Sequence, residues 1–293
     1  MSETLQKFEI TEEDHGKRAD VIVARELPDL SRGFIKKLAH NDKLKFNGQP
    51  VQAGYKLKTT GQLVLDYDTA QLAQIPEIEL PILHEDGDII VINKPSGIIT
   101  HARGKYWDEA SVASSIRRKL ARVDNSIRAG IVHRLDRATS GVIICGKTPE
   151  AIVALQKQFA DRTVVKKYVA WVEPTDISQE GIIDKPIARN PKQPSLFRVD
   201  PNGKPAQTKF QIQKSSATHM ELLLTPKTGR THQLRVHLAS IKAPIIGDTF
   251  YGGAENSRLL LHAKEITLVH PTTDKEITFE APLPSDFTIE SPQ

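Results

Sequence analysis

Among 293 residues there is a single cysteine, Cys145. One thiol cannot close an internal disulfide or build a cysteine-based zinc site. Set in Gly-Val-Ile-Ile-Cys-Gly, it reads as a small buried hydrophobe. No apolar run approaches the roughly 20 residues that span a bilayer. The opening Met-Ser-Glu-Thr-Leu-Gln-Lys lacks the apolar stretch of a secretory leader. These absences point to a reducing, cytoplasmic setting with no membrane partner. There is also no Gly-rich nucleotide loop, no internal repeat and no low-complexity run. His232 and His237 are five residues apart, which puts them about 140° apart on a helix and argues against a shared metal.

What is present is the composition of a folded protein, with 39% apolar and 26% charged residues. The net charge is only +4, but the cations are clustered. Residues 31–58 hold seven of them (Arg32, Lys36, Lys37, Lys43, Lys45, Lys56 and Lys58) against Asp42 alone. Residues 116–137 hold seven more, Arg134 and Arg137 among them, against Asp124 and Asp136. Such clusters suit a polyanion such as nucleic acid. A merely solvated basic face has the same charge pattern, and charge alone leaves both readings open.

Periodicity predicts short helices over 19–27 and from Ser31, a candidate N-cap, with Phe34, Ile35 and Leu38 on one face. Strand segments over 44–46, 55–58 and 62–65 surround an Asn47-Gly48 hairpin turn. Further on, strands are expected over 88–92, 131–132, 141–145, 168–172, 221–225, 259–261 and 266–269. A helix should begin at Thr148-Pro149, and another, capped by Thr231, should run to about Ser240.

The N-terminal pattern Leu30-Ser31-Arg32, Ile35, Lys37-Leu38, Val51 and Lys56-Leu57 resembles the S-four-type RNA-binding domain, a small αα-plus-sheet module. That resemblance implies an RNA-binding domain over 1–70, with Arg32, Lys36, Lys37 and Lys56 on phosphate. A linker follows over 71–80, around Pro76, and a catalytic domain over 81–293.

Chemistry concentrates in His133-Arg134-Leu135-Asp136-Arg137-Ala138-Thr139-Ser140-Gly141. A carboxylate flanked by arginines stays ionised and serves as a nucleophile or an electrostatic stabiliser at a sugar carbon. The same residues also suit a turn-capping aspartate paired with arginine for structure. The segment is similar to the signature of the RluA-type pseudouridine synthases. Other blocks follow in that family's order: Asn93-Lys94-Pro95-Ser96-Gly97; Lys166-Lys167-Tyr168; Gly203-Lys204-Pro205-Ala206-Gln207-Thr208; and Thr228-Gly229-Arg230-Thr231-His232-Gln233-Leu234-Arg235-Val236-His237-Leu238, continued by Gly247-Asp248 and Tyr251-Gly252. The resemblance covers 88–284. Val142 departs from the usual Leu.

The resemblance implies an α+β fold: a mixed, mostly antiparallel central sheet flanked by helices, beside the small N-terminal αα-hairpin domain. It implies an isomerase that converts uridine in structured RNA to pseudouridine without cofactor or metal. Its catalytic residues would be Asp136, Tyr168 against the uracil, and Arg235 paired with Asp136. Arg134 would fill the gap left by the flipped base, and Arg230 would support RNA binding. The expected partner is RNA, ribosomal ahead of transfer RNA, and the expected state is a monomer. Two rival readings remain at this point. A non-catalytic RNA-binding protein would not need Asp136, Tyr168 and Arg235 together. A glycoside or nucleoside hydrolase would need a second carboxylate near Asp136.

Overall fold

The computed structural model describes residues 3–68, 76–102, 109–121, 128 and 130–289. Residues 71–75 of the expected linker lie outside the described residues, as does Arg122 in the second basic cluster. The chain forms two compact units. One is Met1–Ile78 with His101–Arg117 and Asp124–Ala129; the other is Glu79–Thr100 with Arg118–Val123 and Gly130–Gln293. No helix among the described residues is long and apolar enough to cross a membrane.

In the first unit, β1 (Glu3–Ile10) is followed by α1 (Ala19–Glu26) and α2 (Arg32–His40). Then come β2 (Leu44–Phe46), β3 (Gln49–Pro50) and β4 (Gly61–Asp68). The sheet order is β1-β4-β2-β3, antiparallel throughout. Ser31 caps α2 as expected, its hydroxyl accepting the Phe34 N–H at 3.1 Å. Asn47 and Gly48 both take positive φ, 49° and 80°, the conformation that a tight hairpin between twisted strands demands. Ile22, Ile35, Leu44, Leu57, Leu63 and Leu65 close the core. The short α3 (Val112–Ile116) belongs to this unit and opens on a Ser111/Ser114 capping box.

The second unit is built on one large sheet. In chain order its strands are β5 (Ile82–Glu85), β6 (Ile89–Lys94), β7 (Ser140–Gly146), β8 (Val165–Val172) and β9 (Glu180–Asp184). The short β10 (Ile187–Arg189) and β11 (Phe197–Val199) pair separately. Then come β12 (Gln207–Ser215), β13 (Met220–Pro226), β14 (Leu261–Val269) and β15 (Glu276–Glu280). The order is β5-β6-β7-β14-β8-β13-β12-β9, with β15 branching from β14. Only β7 against β14 is parallel, so the sheet is mixed and mostly antiparallel, as expected. The helices are α4 (Pro149–Asp161) and α5 (Gln233–Ser240).

Every residue of β7 and the first four of β6 are buried, the signature of central strands covered on both faces. Thr148 caps α4 through the Ala151 N–H, with Pro149 at the first turn. Four local expectations change. Residues 55–58 and 131–132 form no strand and hold only isolated bridges, Lys56 to Arg18 and Ile131 to Cys145. The segments 259–261 and 266–269 are not separate strands, because β14 runs from 261 to 269 across an irregularity between Ala263 and Glu265. The N-cap of α5 is His232, not Thr231.

Where β7 begins, Gly141 takes a φ of 113°, and a Cβ there would lie 2.2 Å from the Ala263 carbonyl oxygen. Only glycine lets the backbone turn out of the preceding loop and still close the parallel contact with β14.

Candidate active site

Residues 133–140 form the loop that enters β7, and it is held from several sides. The His133 ring accepts the Ile144 N–H at Nε2 (3.0 Å) and stacks on Phe159 at 4.6 Å. Burial holds this imidazole neutral, its pKa pulled down to about 3. Thr100 accepts the Leu135 N–H (3.1 Å) and donates to the Leu135 carbonyl (2.9 Å). Ser96 donates to the Ala138 carbonyl, and the Gly97 N–H donates to that of Arg137. Beneath the loop lies Lys94, fully buried, whose ammonium donates to the carbonyls of Pro95 (2.9 Å), Ile98 (2.8 Å) and Arg137 (3.2 Å). Burial pulls its pKa down to about 7, against the opposing pull of Asp136. The Asn93-Lys94-Pro95-Ser96-Gly97 block is therefore the underlay of the loop. Sequence reading named the block without giving Lys94, Ser96 or Thr100 a role.

The loop carries Asp136 into a cavity of about 450 Å³. Tyr168, Arg134, Arg230 and Arg235 line the same cavity, so the structure brings together all the site residues expected in this unit. Among the described residues no side chain or backbone N–H donates to the Asp136 carboxylate, which is half-buried and open to the cavity. Its charge acts on Lys94, Tyr168, His232, Arg235 and Tyr251. Asp136 is also the only carboxylate among the described lining residues, so the second acid of a hydrolase is missing from this wall.

Tyr168 sits in β8, opposite Leu224 of β13 and Ala263 of β14. Burial, and then the Asp136 charge, push its phenol above the ordinary tyrosine value. Arg134 is exposed at the rim. Arg230 is tied by its Nε to the Pro205 carbonyl at 3.1 Å.

Arg235 departs from expectation. Its fork does not grip Asp136 but closes on Asp248, with Nε and Nη2 each 2.7 Å from a carboxylate oxygen. The physical reason is burial. Asp248 is sealed from solvent, and an interior carboxylate without a paired cation is strongly unfavourable. Arg235 therefore reaches Asp136 through space, and Tyr251 packs its ring 4.9 Å from the guanidinium. The signal for this pairing was in the quoted Gly247-Asp248 and Tyr251-Gly252, but only loop closure brings them to α5.

His232 and His237, set aside as a metal pair, are engaged separately. His237 meets Thr208 Oγ1 (2.9 Å) and the Lys185 carbonyl (3.0 Å), whereas His232 meets the Tyr251 hydroxyl (2.8 Å). Metal-ligand side chains do gather elsewhere. Asp86, Asp88 and His270 bring ligand atoms within 4.8 Å at the end of β6 opposite Lys94. Hydrogen bonds already occupy them: His84 and His270 meet one oxygen of Asp86, and Thr272 donates to Asp88.

In the second unit the blocks around Asp136, Tyr168 and Arg235 thus meet in a single cavity. The sequence profile described as RNA pseudouridylate synthase matches residues 88–240, which span this site. The chain belongs to the RNA pseudouridylate synthase family. It is 33% identical over 290 residues to ribosomal large subunit pseudouridine synthase D of Vibrio cholerae serotype O1, covering 92% of this chain and 89% of that protein. The protein of the same name from Escherichia coli strain K12 is also 33% identical, over 94% of this chain and 90% of its own. Human RNA pseudouridylate synthase domain containing 4 aligns with a TM-score of 0.57 at 27% identity, over 71% of this chain and 90% of that one. Human RNA pseudouridylate synthase domain containing 1 aligns with a TM-score of 0.58 at 24% identity, over 70% and 84%, and bears on the fold. The synthase is accordingly an isomerase acting on RNA.

Proposed function

We propose that this synthase converts specific uridines of large-subunit ribosomal RNA to pseudouridine, with Asp136 as the essential carboxylate. The observation that carries this reading is the Asp136 carboxylate, open to the cavity with no hydrogen bond from the described residues, on the same wall as Tyr168. The relatives named for the ribosomal large subunit favour ribosomal over transfer RNA as the substrate.

In the reaction the bond from the ribose anomeric carbon to N1 breaks, the uracil turns, and the same carbon bonds to C5, which gives up its proton to the medium while N1 takes one up. Asp136 either attacks the anomeric carbon or takes the proton of its neighbour. Tyr168 stays a neutral phenol, since burial and Asp136 both push its pKa upward. A neutral phenol is a poor base. Its contribution in this reading is a flat surface against the uracil. Arg235, locked by Asp248, supplies a fixed positive field across the cavity rather than a hydrogen bond to Asp136. Arg134, exposed at the rim, enters the gap that the extruded base leaves in its stack, and Arg230 steadies the RNA beside it.

The first unit serves in this reading as an S-four-like RNA-binding module. Lys36, Lys37 and Lys56 are exposed, and no described residue pairs with them. Arg32 is different: its guanidinium rests on buried Asp20 (2.7 Å), which Arg18 shares, so it is presented in a fixed orientation. The enzyme acts as a cytoplasmic monomer without cofactor. Replacing Asp136→Asn tests the core of the reading. RNA binding should persist, measured by filter retention, while pseudouridine formation falls below detection. Undiminished modification would remove Asp136 from the chemistry.

A further inference from the structure

His232 holds a conformation that its place in the chain does not call for. It occupies the N-cap of α5, where Ser, Thr, Asn or Asp normally caps the helix with a side-chain oxygen. Here the ring makes no cap hydrogen bond, and the backbone sits in the left-handed region at φ 57°. A left-handed non-glycine residue in a binding cavity is an outlier held by its surroundings. Those surroundings are specific. Nδ1 lies 2.8 Å from the Tyr251 hydroxyl, and the ring meets Phe197 and Tyr251 edge-on at 5.6 and 5.7 Å.

The hydrogen-bond directions around this contact can be assigned. The Tyr251 oxygen accepts the Phe197 N–H at 3.0 Å. Among the described residues His232 Nδ1 is the one acceptor within reach of the hydroxyl proton, which favours Tyr251 as the donor and Nδ1 as the acceptor. A neutral imidazole that accepts at Nδ1 carries its proton on Nε2. Burial keeps this imidazole below its ordinary pKa even though Asp136 pulls the other way, which agrees with a neutral ring. Nε2 has no partner among the described residues, it is not sealed from solvent, and the residue lines the cavity that holds Asp136. The result is a neutral, oriented N–H donor on a residue that lines the substrate space. A phosphate would be drawn instead to the full charges of Arg134 and Arg230. A neutral donor matches a neutral carbonyl. When the glycosidic bond breaks, its electron pair passes to N1 and spreads onto the uracil carbonyl oxygens, where a fixed donor gains strength.

We propose that His232 contacts the substrate, its Nε2–H donating to a carbonyl oxygen of the bound uracil, with Tyr251 as the positioning residue that sets its tautomer. The inference rests on the pseudouridine synthase reading of the site and adds a residue to it.

The test pairs protein variants with altered substrates under single-turnover conditions. The substrates are one RNA stem-loop carrying uridine, 2-thiouridine or 4-thiouridine at the target position, sulfur being the weaker acceptor. Wild-type enzyme should act on uridine, and its inactivity would count against the functional reading itself. Wild type should be slowed at least tenfold by one of the two thio substitutions. His232→Phe should be slowed about 100-fold on uridine with RNA affinity unchanged, and should lose its sensitivity to that thio substitution. His232→Gln, which restores an N–H, should recover most of the rate, and Tyr251→Phe should fall between. If His232→Phe matches wild type on uridine, or if it and Tyr251→Phe keep the full thio effect, the contact does not exist.

Discussion

At the scale of single residues, Lys94 couples the sheet to the chemistry. Three N–H groups of an ammonium meet three carbonyls, one of which belongs to Arg137, next to Asp136. A neutral amine has only two N–H groups. With its pKa pulled down to about 7 by burial, Lys94 is mostly charged below that value and mostly neutral above it. The turnover rate should therefore decline as pH rises through about 7, and Lys94→Met should lose that limb. It should also turn over about 100-fold more slowly, the scale of a small misplacement of a reacting group. A pH–rate profile of both enzymes checks this, and an identical limb in Lys94→Met would acquit the residue. Stability runs the other way. An unfolded lysine keeps its proton to about 10.5, so unfolding takes up a proton between about 7 and 10.5, and the contribution of this group to stability rises across that window. At this scale the sequence was legible where a residue acts alone. Asp136 between arginines stood out as a candidate, and the resemblance of its segment decided between the catalytic and the structural reading. The Arg235–Asp248 pair was not legible, because the charge that claims Arg235 comes from a turn that only folding delivers, and Lys94 was given no role because nothing local says that it is sealed.

At the scale of elements, the apolar runs were readable. Ile89 to Ile92 is buried on both faces, while Tyr168 to Val172 and Leu222 to Leu224 set fully buried residues among half-buried ones, and their short β-rich apolar runs marked all three as strands. β1 escaped notice: Glu3, Gln6, Lys7 and Glu9 mask its weak alternation, and it is fixed by pairing along its whole length with β4. β14 read as two pieces because Lys264 and Glu265 interrupt the apolar pattern where the register shifts. The junction of loop, β7 and β14 converges on Gly141. Gly141→Ala should clash with the Ala263 carbonyl and strain the backbone together, costing about 3 kcal/mol or more. Thermal or urea unfolding measures it, and a loss below about 1 kcal/mol would show that the strands separate there without penalty.

At the scale of the whole molecule, charge is divided by task. The net +4 is modest, yet Lys36, Lys37 and Lys56 are exposed on the first unit while the cavity of the second gathers Arg134, Arg230 and Arg235 around one carboxylate. Replacing the three lysines together by alanine should weaken RNA binding and flatten the dependence of log affinity on log salt by roughly 2–3. The maximal rate at saturating RNA should stay within about twofold of wild type. An unchanged salt slope would place the RNA elsewhere. The same molecule carries its lone sulfur inside β7, where burial pushes the thiol up to about 12. A thiol so protonated and enclosed is inert to alkylating reagents at neutral pH. Any cysteine introduced on the surface would thus be the single reactive one, and a dye or crosslinker could be attached at a chosen point with the native Cys145 left in place.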